Sequence, residues 1–450
     1  MAATAIDSVL FGNLFSAPAM RAIFADEARV QRYLDVEAAL ARVEARLGLI
    51  PAAAADEISR HAVAANFDLA ALGARVEAVG APIAPLVDQL VARCGDGHGQ
   101  YCHWGATTQD ITDTATVLQM RDALALAGDD LGAIAAALAE LARRYRDTPM
   151  AGRTNLQHAT PITFGFKVAG WLDAIGRHQT RLAEMRPRVL VGQFGGAVGT
   201  LAALGERGPE VATALMAELG LGAPAIAWHS HRDRIAEAGC FLGLVTGTLG
   251  KIATDVKLLM QTEVAEVFEP YAPGRGSSST MPQKRNPVAC DYILACAAMV
   301  RQQAAALLDA IVADHERASG AWQIEWAALP AIFLFASGAL AHTRAMVAGL
   351  EVDAARMRTN LELTGGQIMA EAVMMGLAPY LGREHAHRIV AARCREAIAG
   401  ARPLLDVLAE DPEIARHLRR PALARLLDPR NYLGAAAALV DRVIARCADR

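Results

Sequence analysis

Apolar residues recur along this chain three and four positions apart, and few stretches alternate with period two, so the pattern predicts helices almost throughout. One predicted helix starts at an Asp26 cap, carries its apolar face through Val30, Leu34, Leu40, Val43 and Leu47, and stops at Gly48 ahead of Pro51. The stretch from His231 to Phe268 holds no proline over about 38 residues, enough for roughly 57 Å of helix at 1.5 Å per residue. Between Ala238 and Gly250 it carries no charge. A helix apolar on every side must be surrounded. One chain's few long helices do not easily surround it, so the pattern implies a bundle built by several subunits. The longest uncharged run, Trp326 to Ala341, contains Pro330 and is short for a bilayer span; it reads as a buried helix. Gly365-Gly366, Pro403, Pro412, Pro421 and Pro429 then break the last hundred residues into short helices. The expectation is an all-α protein with three helical domains: an N-terminal helical domain over 1–105, a central long-helix bundle over 106–350 completed by oligomerisation, and a C-terminal helical domain over 351–450.

Composition sharpens this picture. Aromatics make up only 5% of the 450 residues while hydrophobic residues reach 53%, with alanine dominating, which favours closely packed helices. The net charge of −4 and the lack of a basic stripe argue against nucleic acid as the main partner. Seven cysteines without zinc-type spacing are expected of reduced thiols. No charged start followed by an apolar core and cleavage site opens the chain, so the expected address is the cytoplasm, with no membrane partner.

Three polar clusters interrupt the helical pattern. The most informative is Gly274 to Pro287, GRGSSSTMPQKRNP. Glycines, three consecutive serines and a Met-Pro step cannot build a core, so a mobile loop is expected. It carries Lys284 and ends at Asn286-Pro287, a cap-plus-proline helix start. A hydroxyl-rich flap ending in a cation and a helix N-terminus suits a site that closes over an anion. The bland alternative is a solvated linker. The second cluster, His103-Trp-Gly-Ala-Thr-Thr-Gln-Asp110, holds a capping-box-like pair, Thr107 and Asp110. The third, Gly152 to Pro161, reads GRTNLQHATP and closes on another such helix start, Thr160-Pro161.

These clusters resemble the signature regions of the fumarase/aspartase superfamily, whose members make or break C–N and C–O bonds beside a carboxylate. The loop pattern of that family is Gly-Ser-Ser-x-Met-x-x-Lys-x-Asn-Pro. Counting back from Met281 places the pattern serines at Ser278 and Ser279 and the pattern glycine at Ser277, so the chain departs by one residue. The resemblance implies that Ser278 is catalytic, aided by Lys284, with Ser279 and Asn286 in the binding set. It implies that Thr107 and Thr108 bind a substrate carboxylate, with His103 opening their motif. Arg153, Thr154 and Gln157 match the family's Arg-Thr-x-x-Gln. Where some relatives place a proton-transferring histidine the chain has Asn155, which does not titrate. His158 either compensates as a catalytic group or is a neutral loop histidine.

Stretches outside these motifs, among them HERASGAWQIEW at 315–326 with Arg317 and the closing LDPRNYLGAA, are similar to the bacterial 3-carboxy-cis,cis-muconate cycloisomerases of that superfamily, and the likeness spans nearly the whole chain. It implies lactonisation of a small tricarboxylate diene in aromatic catabolism by a homotetramer with shared active sites. Adding one carboxylate oxygen across the alkene would build charge on another carboxylate until the carbon beside it is protonated, so donors aimed there would supply most of the rate. No cofactor is implied, because the substrate carries its own nucleophile, and no metal: His229/His231 and His385/His387 lack a completed ligand set. The alternatives are a C–N or C–O lyase releasing fumarate from a succinyl adduct, and a noncatalytic paralogue.

Overall fold

A computed structural model of the chain describes residues 4–448. Helices take 68% of the structure and, among the described residues, strands are confined to two short ribbons, so the architecture is all-α as the apolar spacing predicts. Helix α1, Asp26–Arg46, shows why. Asp26 and Glu27 in its first turn and Arg46 in its last complement the helix dipole. Its apolar stripe buries Val30, Leu34, Leu40 and Val43, each contributing about 1.5–3 kcal/mol. Asp26 is the first helical residue and caps nothing, because Ala25 occupies the cap position. At the far end Gly48 takes φ 73°, and the Leu49 N–H closes back on the Glu44 carbonyl.

Five longer helices follow: α2 (Thr108–Arg144), α3 (Phe164–Val189), α4 (Asp233–Leu259), α5 (Val288–Asp309) and α6 (Ala321–Ala348). Helix α4 stops short of the Phe268 that the proline-free stretch predicts. Beyond Leu259 the chain turns through Ala265 at φ 51°. The carbonyls freed there are met from afar: Arg356 donates to Glu263 and Val264, and the Asn360 amide also donates to Val264. By length and composition alone α4 and α6 could cross a membrane, yet most of each apolar window is covered inside the protein. Some of the apolar surface stays open: Leu244 on α4 and Met299 and Leu308 on α5 are exposed.

Compactness groups the residues into two units that do not follow chain order. The first takes the chain up to Leu131 with His178–Gly250 and Tyr292–His342; the second takes Gly132–Arg177, Lys251–Asp291 and everything from Thr343 on. The units are not runs of consecutive residues, because α2, α3, α4, α5 and α6 each contribute residues to both. In the second unit the short C-terminal helices pack around Val373, Leu377, Val390, Leu404 and Leu408.

The ribbons were not visible in the apolar periodicity. Strand β1, Pro149–Thr154, pairs antiparallel with β2, Gln157–Thr163, and β3, Val267–Phe268, pairs with β4, Glu351–Val352. The Thr160-Pro161 pair, which reads as a helix start, lies inside β2. Helix α3 begins after it, and its cap is Thr163, whose hydroxyl accepts the Phe166 N–H. Proline is tolerated in a two-stranded ribbon because an outer edge needs no donor there.

Candidate active site

In the first unit the His103–Asp110 segment enters α2. The Thr107 N–H donates to Asp110 Oδ2 at 3.0 Å, the returning half of a capping box. Asp110 does more than cap. It also accepts the Gly195 and Gly196 N–H groups at 2.8 and 2.9 Å, and His229 Nε2 lies 2.8 Å from its Oδ1. This buried carboxylate therefore fixes the helix start carrying Thr107 and Thr108 to a glycine loop 85 residues away in sequence. Arg317 joins the same loop: its guanidinium donates to the Gln109 amide oxygen at 2.8 Å and to the Ala197 carbonyl at 2.6 Å. His103 has φ 56°, and its Nδ1 sits 2.7 Å from Glu37 Oε1. Burial opposes its charged form, but the Glu37 carboxylate, with a smaller push from Asp110, outweighs burial and raises the imidazole pKa.

Behind this segment lies a buried ion triad. Arg232 donates Nη1 to Asp113 Oδ2 at 2.7 Å and Nε to Glu325 Oε1 at 2.8 Å, its guanidinium 4.8 Å from the Trp228 ring centroid. The Trp322 indole N–H donates to Asp113 as well.

In the second unit the Arg153–His158 motif forms the tip of the β1–β2 hairpin. Thr154 pairs with Gln157, which leaves Asn155 and Leu156 as a two-residue loop at φ 49° and 64°. Positive φ at both positions is the type I′ geometry that favours Asn and Gly. Asn155 thus has a local reason to be there. Thr154, Asn155 and Gln157 are all exposed.

Arg153 is engaged by Glu266, donating Nη2 to Oε1 at 2.7 Å and Nη1 to Oε2 at 2.9 Å. Glu266 is fully buried and also accepts the Asn360 amide at 2.8 Å. The motif arginine therefore stands as half of a bidentate pair. His158 is neutral at neutral pH: burial and then the Arg153 charge lower its pKa, and its Nδ1 is buried without a hydrogen-bond partner. Lys167, one turn into α3, has its pKa lowered chiefly by burial, with Arg153 and Lys251 adding to it.

The serine loop belongs to the same unit. Ser277 pairs with Arg285 across an antiparallel bridge, and the Asn286 N–H donates to the Gly276 carbonyl. Gly276 is at φ 67°, and a Cβ there would sit 2.6 Å from the Asn286 carbonyl oxygen, so the glycine is needed where the loop closes. Ser277 Oγ donates to the Gly274 carbonyl. The half-buried Ser278 is set differently: its Oγ accepts the Met281 N–H at 3.1 Å and the Thr280 N–H at 3.3 Å. Ser279 and Lys284 are exposed. The cap of α5 is not the Asn286 side chain that the sequence suggests. Glu269, preceding the loop and buried, accepts the Ala289 and Cys290 N–H groups at 3.0 and 2.9 Å. Arg285 completes the base of the loop, donating to Glu351 and to the Glu269 carbonyl.

The structure thus brings His103, Thr107, Thr108 and Arg317 together around one helix start. It sets Arg153 and His158 on one hairpin, and Ser278, Ser279, Lys284 and Asn286 on one loop. Sequence reading passed over Glu37, Glu266, Asn360 and Lys167. Only Glu37 left a signal there, as a carboxylate on the apolar stripe of α1 between Leu34 and Leu40.

Comparison with known proteins shows which family the chain resembles. A family model described as "Lyase" matches residues 14–301, and one described as "Adenylosuccinate lyase C-terminus" matches 366–443. The 3-carboxy-cis,cis-muconate cycloisomerase of Pseudomonas aeruginosa is 50% identical over 97% of this chain and 96% of that protein. Trans-aconitate decarboxylase 1 of Mycosarcoma maydis is 52% identical over 96% of this chain and 88% of that protein. The crystal structure of the 3-carboxy-cis,cis-muconate lactonizing enzyme of Pseudomonas putida superposes with a TM-score of 0.93 at 46% identity, covering 98% of this chain and 99% of that one. With the motifs, the helical architecture and these likenesses in agreement, the chain belongs to the fumarase/aspartase superfamily of lyases.

Proposed function

We propose that the chain is a cycloisomerase converting 3-carboxy-cis,cis-muconate to 4-carboxymuconolactone in aromatic catabolism. One carboxylate oxygen of the substrate bonds to an alkene carbon, and a proton is delivered to the carbon beside another carboxylate. The observation that carries this reading is the setting of Ser278. A serine hydroxyl gives up its proton at neutral pH only if its oxygen is stabilised as charge forms, and two backbone N–H groups already point at that oxygen. Ser278 is the general acid, with Lys284 on the same loop beside the developing charge. Thr107 and Thr108, at the N-terminus of a 37-residue helix, suit a substrate carboxylate. His158, neutral and with a lone nitrogen turned inward, suits proton relay better than charge binding. The working enzyme is a homotetramer whose sites draw motifs from several subunits, a reading supported by the exposed apolar residues of α4 and α5.

A second reading is decarboxylation of trans-aconitate, favoured by the 52% identity to an enzyme of that name. Both substrates are alkenes carrying three carboxylates, and both reactions place charge on a carbon beside a carboxylate. The test is to offer each substrate in turn. Loss of diene absorbance with 3-carboxy-cis,cis-muconate supports the first reading, release of CO2 from trans-aconitate supports the second, and fumarate release from a succinyl adduct would replace both.

A further inference from the structure

Helix α1 carries two glutamates, Glu37 and Glu44, on its buried stripe, an unusual place for a carboxylate. They differ. Neither oxygen of Glu44 has a hydrogen-bond partner, and burial, with Glu37 nearby, pushes its pKa up to about 9. It is a protonated acid at neutral pH. Glu37, whose side chain is 1% exposed, spends one oxygen on His103 Nδ1 at 2.7 Å.

The surroundings leave Glu37 as the charge that matters to His103. From the turn before α2, the Cys102 thiol is pushed well above its usual range by burial, and the Cys94 thiol beside it is raised too, so both are neutral. On α2, Asp110 faces the ring, but its oxygens are shared among three backbone N–H groups and His229. An imidazole held at Nδ1 by a buried carboxylate keeps Nε2–H as a donor with full positive charge behind it. That donor belongs to the motif whose Thr107 and Thr108 open α2.

We infer that Glu37 is a positioning residue that holds His103 as a fixed imidazolium, so that His103 anchors a substrate carboxylate and does not act as a base. This rests on the reading that His103 lies in the substrate site. The pair also explains why a buried acid is kept on α1: a neutral residue there would leave the ring partly buried and uncharged.

The test separates the pairing from the function. In the wild-type protein, the His103 imidazole followed by nitrogen NMR titrates above the ordinary 6.5. In Glu37→Gln it titrates at or below that value, because burial is then opposed only by the smaller push from Asp110, and Glu37→Asp recovers part of the shift. With 3-carboxy-cis,cis-muconate as substrate, Glu37→Gln raises KM about tenfold at pH 8 while kcat changes less than about threefold, and the pH at which KM begins to climb moves down. A wild-type His103 titrating at or below 6.5, or a titration that Glu37→Gln does not move, overturns the pairing; the wild-type measurement stands even if the variant fails to fold. A titration that moves while KM stays fixed in both Glu37→Gln and His103→Phe overturns the inference through the reading it rests on. A fall in kcat with unchanged KM makes His103 a base and overturns it too.

Discussion

Ser278 and its two neighbours offer three nearly identical hydroxyls in unlike settings. Ser277 contributes backbone to a bridge and its hydroxyl to the Gly274 carbonyl, Ser279 is exposed, and Ser278 accepts two N–H groups. Ser278→Ala is therefore expected to lower turnover about 10²-fold or more, the range for losing a general acid, while the substrate dissociation constant holds. Ser277→Gly should remain active. Near-normal rates in Ser278→Ala, with loss in Ser277→Ala or Ser279→Ala, would move the assignment by one residue. At the hairpin tip, Leu156 is 79% exposed and in a conformation that disfavours its Cβ. Leu156→Gly should raise the thermal midpoint, by an amount equivalent to about 1 kcal/mol, and Asn155→Ala should slow turnover only through a looser turn. The motif residues themselves were legible because each motif is contiguous. Their partners were not: Glu37 pairs with a residue 66 positions on, and Glu266 with one 113 positions back, distances at which no local pattern reports contact.

The elements were legible where apolar spacing governs them and misread where tertiary groups intervene. Helix α1 follows its stripe. The β1–β2 hairpin escaped because its residues are polar and its proline imitates a helix start. The end of α4 escaped because the donors that hold the carbonyls of the turn after it, Glu263 and Val264, lie on a segment some ninety residues later. The buried triad ties elements in the same unseen way, joining Asp113 of α2 and Glu325 of α6 through Arg232 just ahead of α4. Removing one member strands a buried charge, so Asp113→Ala should destabilise the fold by about 3–5 kcal/mol, read as a lower denaturant midpoint. Replacing all three with apolar residues of matched volume should cost much less. If the single and triple variants lose equally, the triad holds these elements by packing and not by charge.

At the scale of the whole molecule, Glu44 sets a direction for stability against pH. Its folded pKa of about 9 lies above the ordinary 4.5, so the folded state binds the extra proton. That contribution is fully present below 4.5 and is lost progressively as pH rises towards 9, at about 1.4 kcal/mol per pH unit. Glu44→Gln should flatten this part of the profile in chemical denaturation from pH 5 to 9; an unchanged slope would mean the carboxyl is reached by water. Assembly is tested by mixing. Variants lesioned at Thr107 and at Ser278, each inactive alone, should regain partial activity on subunit exchange if sites are shared. A monomer in sedimentation, or no recovery after proven exchange, would reject shared sites.

The serine loop leaves the fold beside Glu269 and returns at Ala289 and Cys290, whose N–H groups that one carboxylate holds, with Arg285 fastened to Glu351 between them. Both feet of the loop are thus nailed to the same spot, and the chain between them behaves as a tether of fixed ends. Lengthening such a tether by one residue changes its closure entropy by far less than the roughly 0.6 kcal/mol of a full doubling. Ser277, standing where the family pattern has glycine, adds no length at all, and a foothold of this kind lets the contents of the loop change in spelling while the helix behind it stays put.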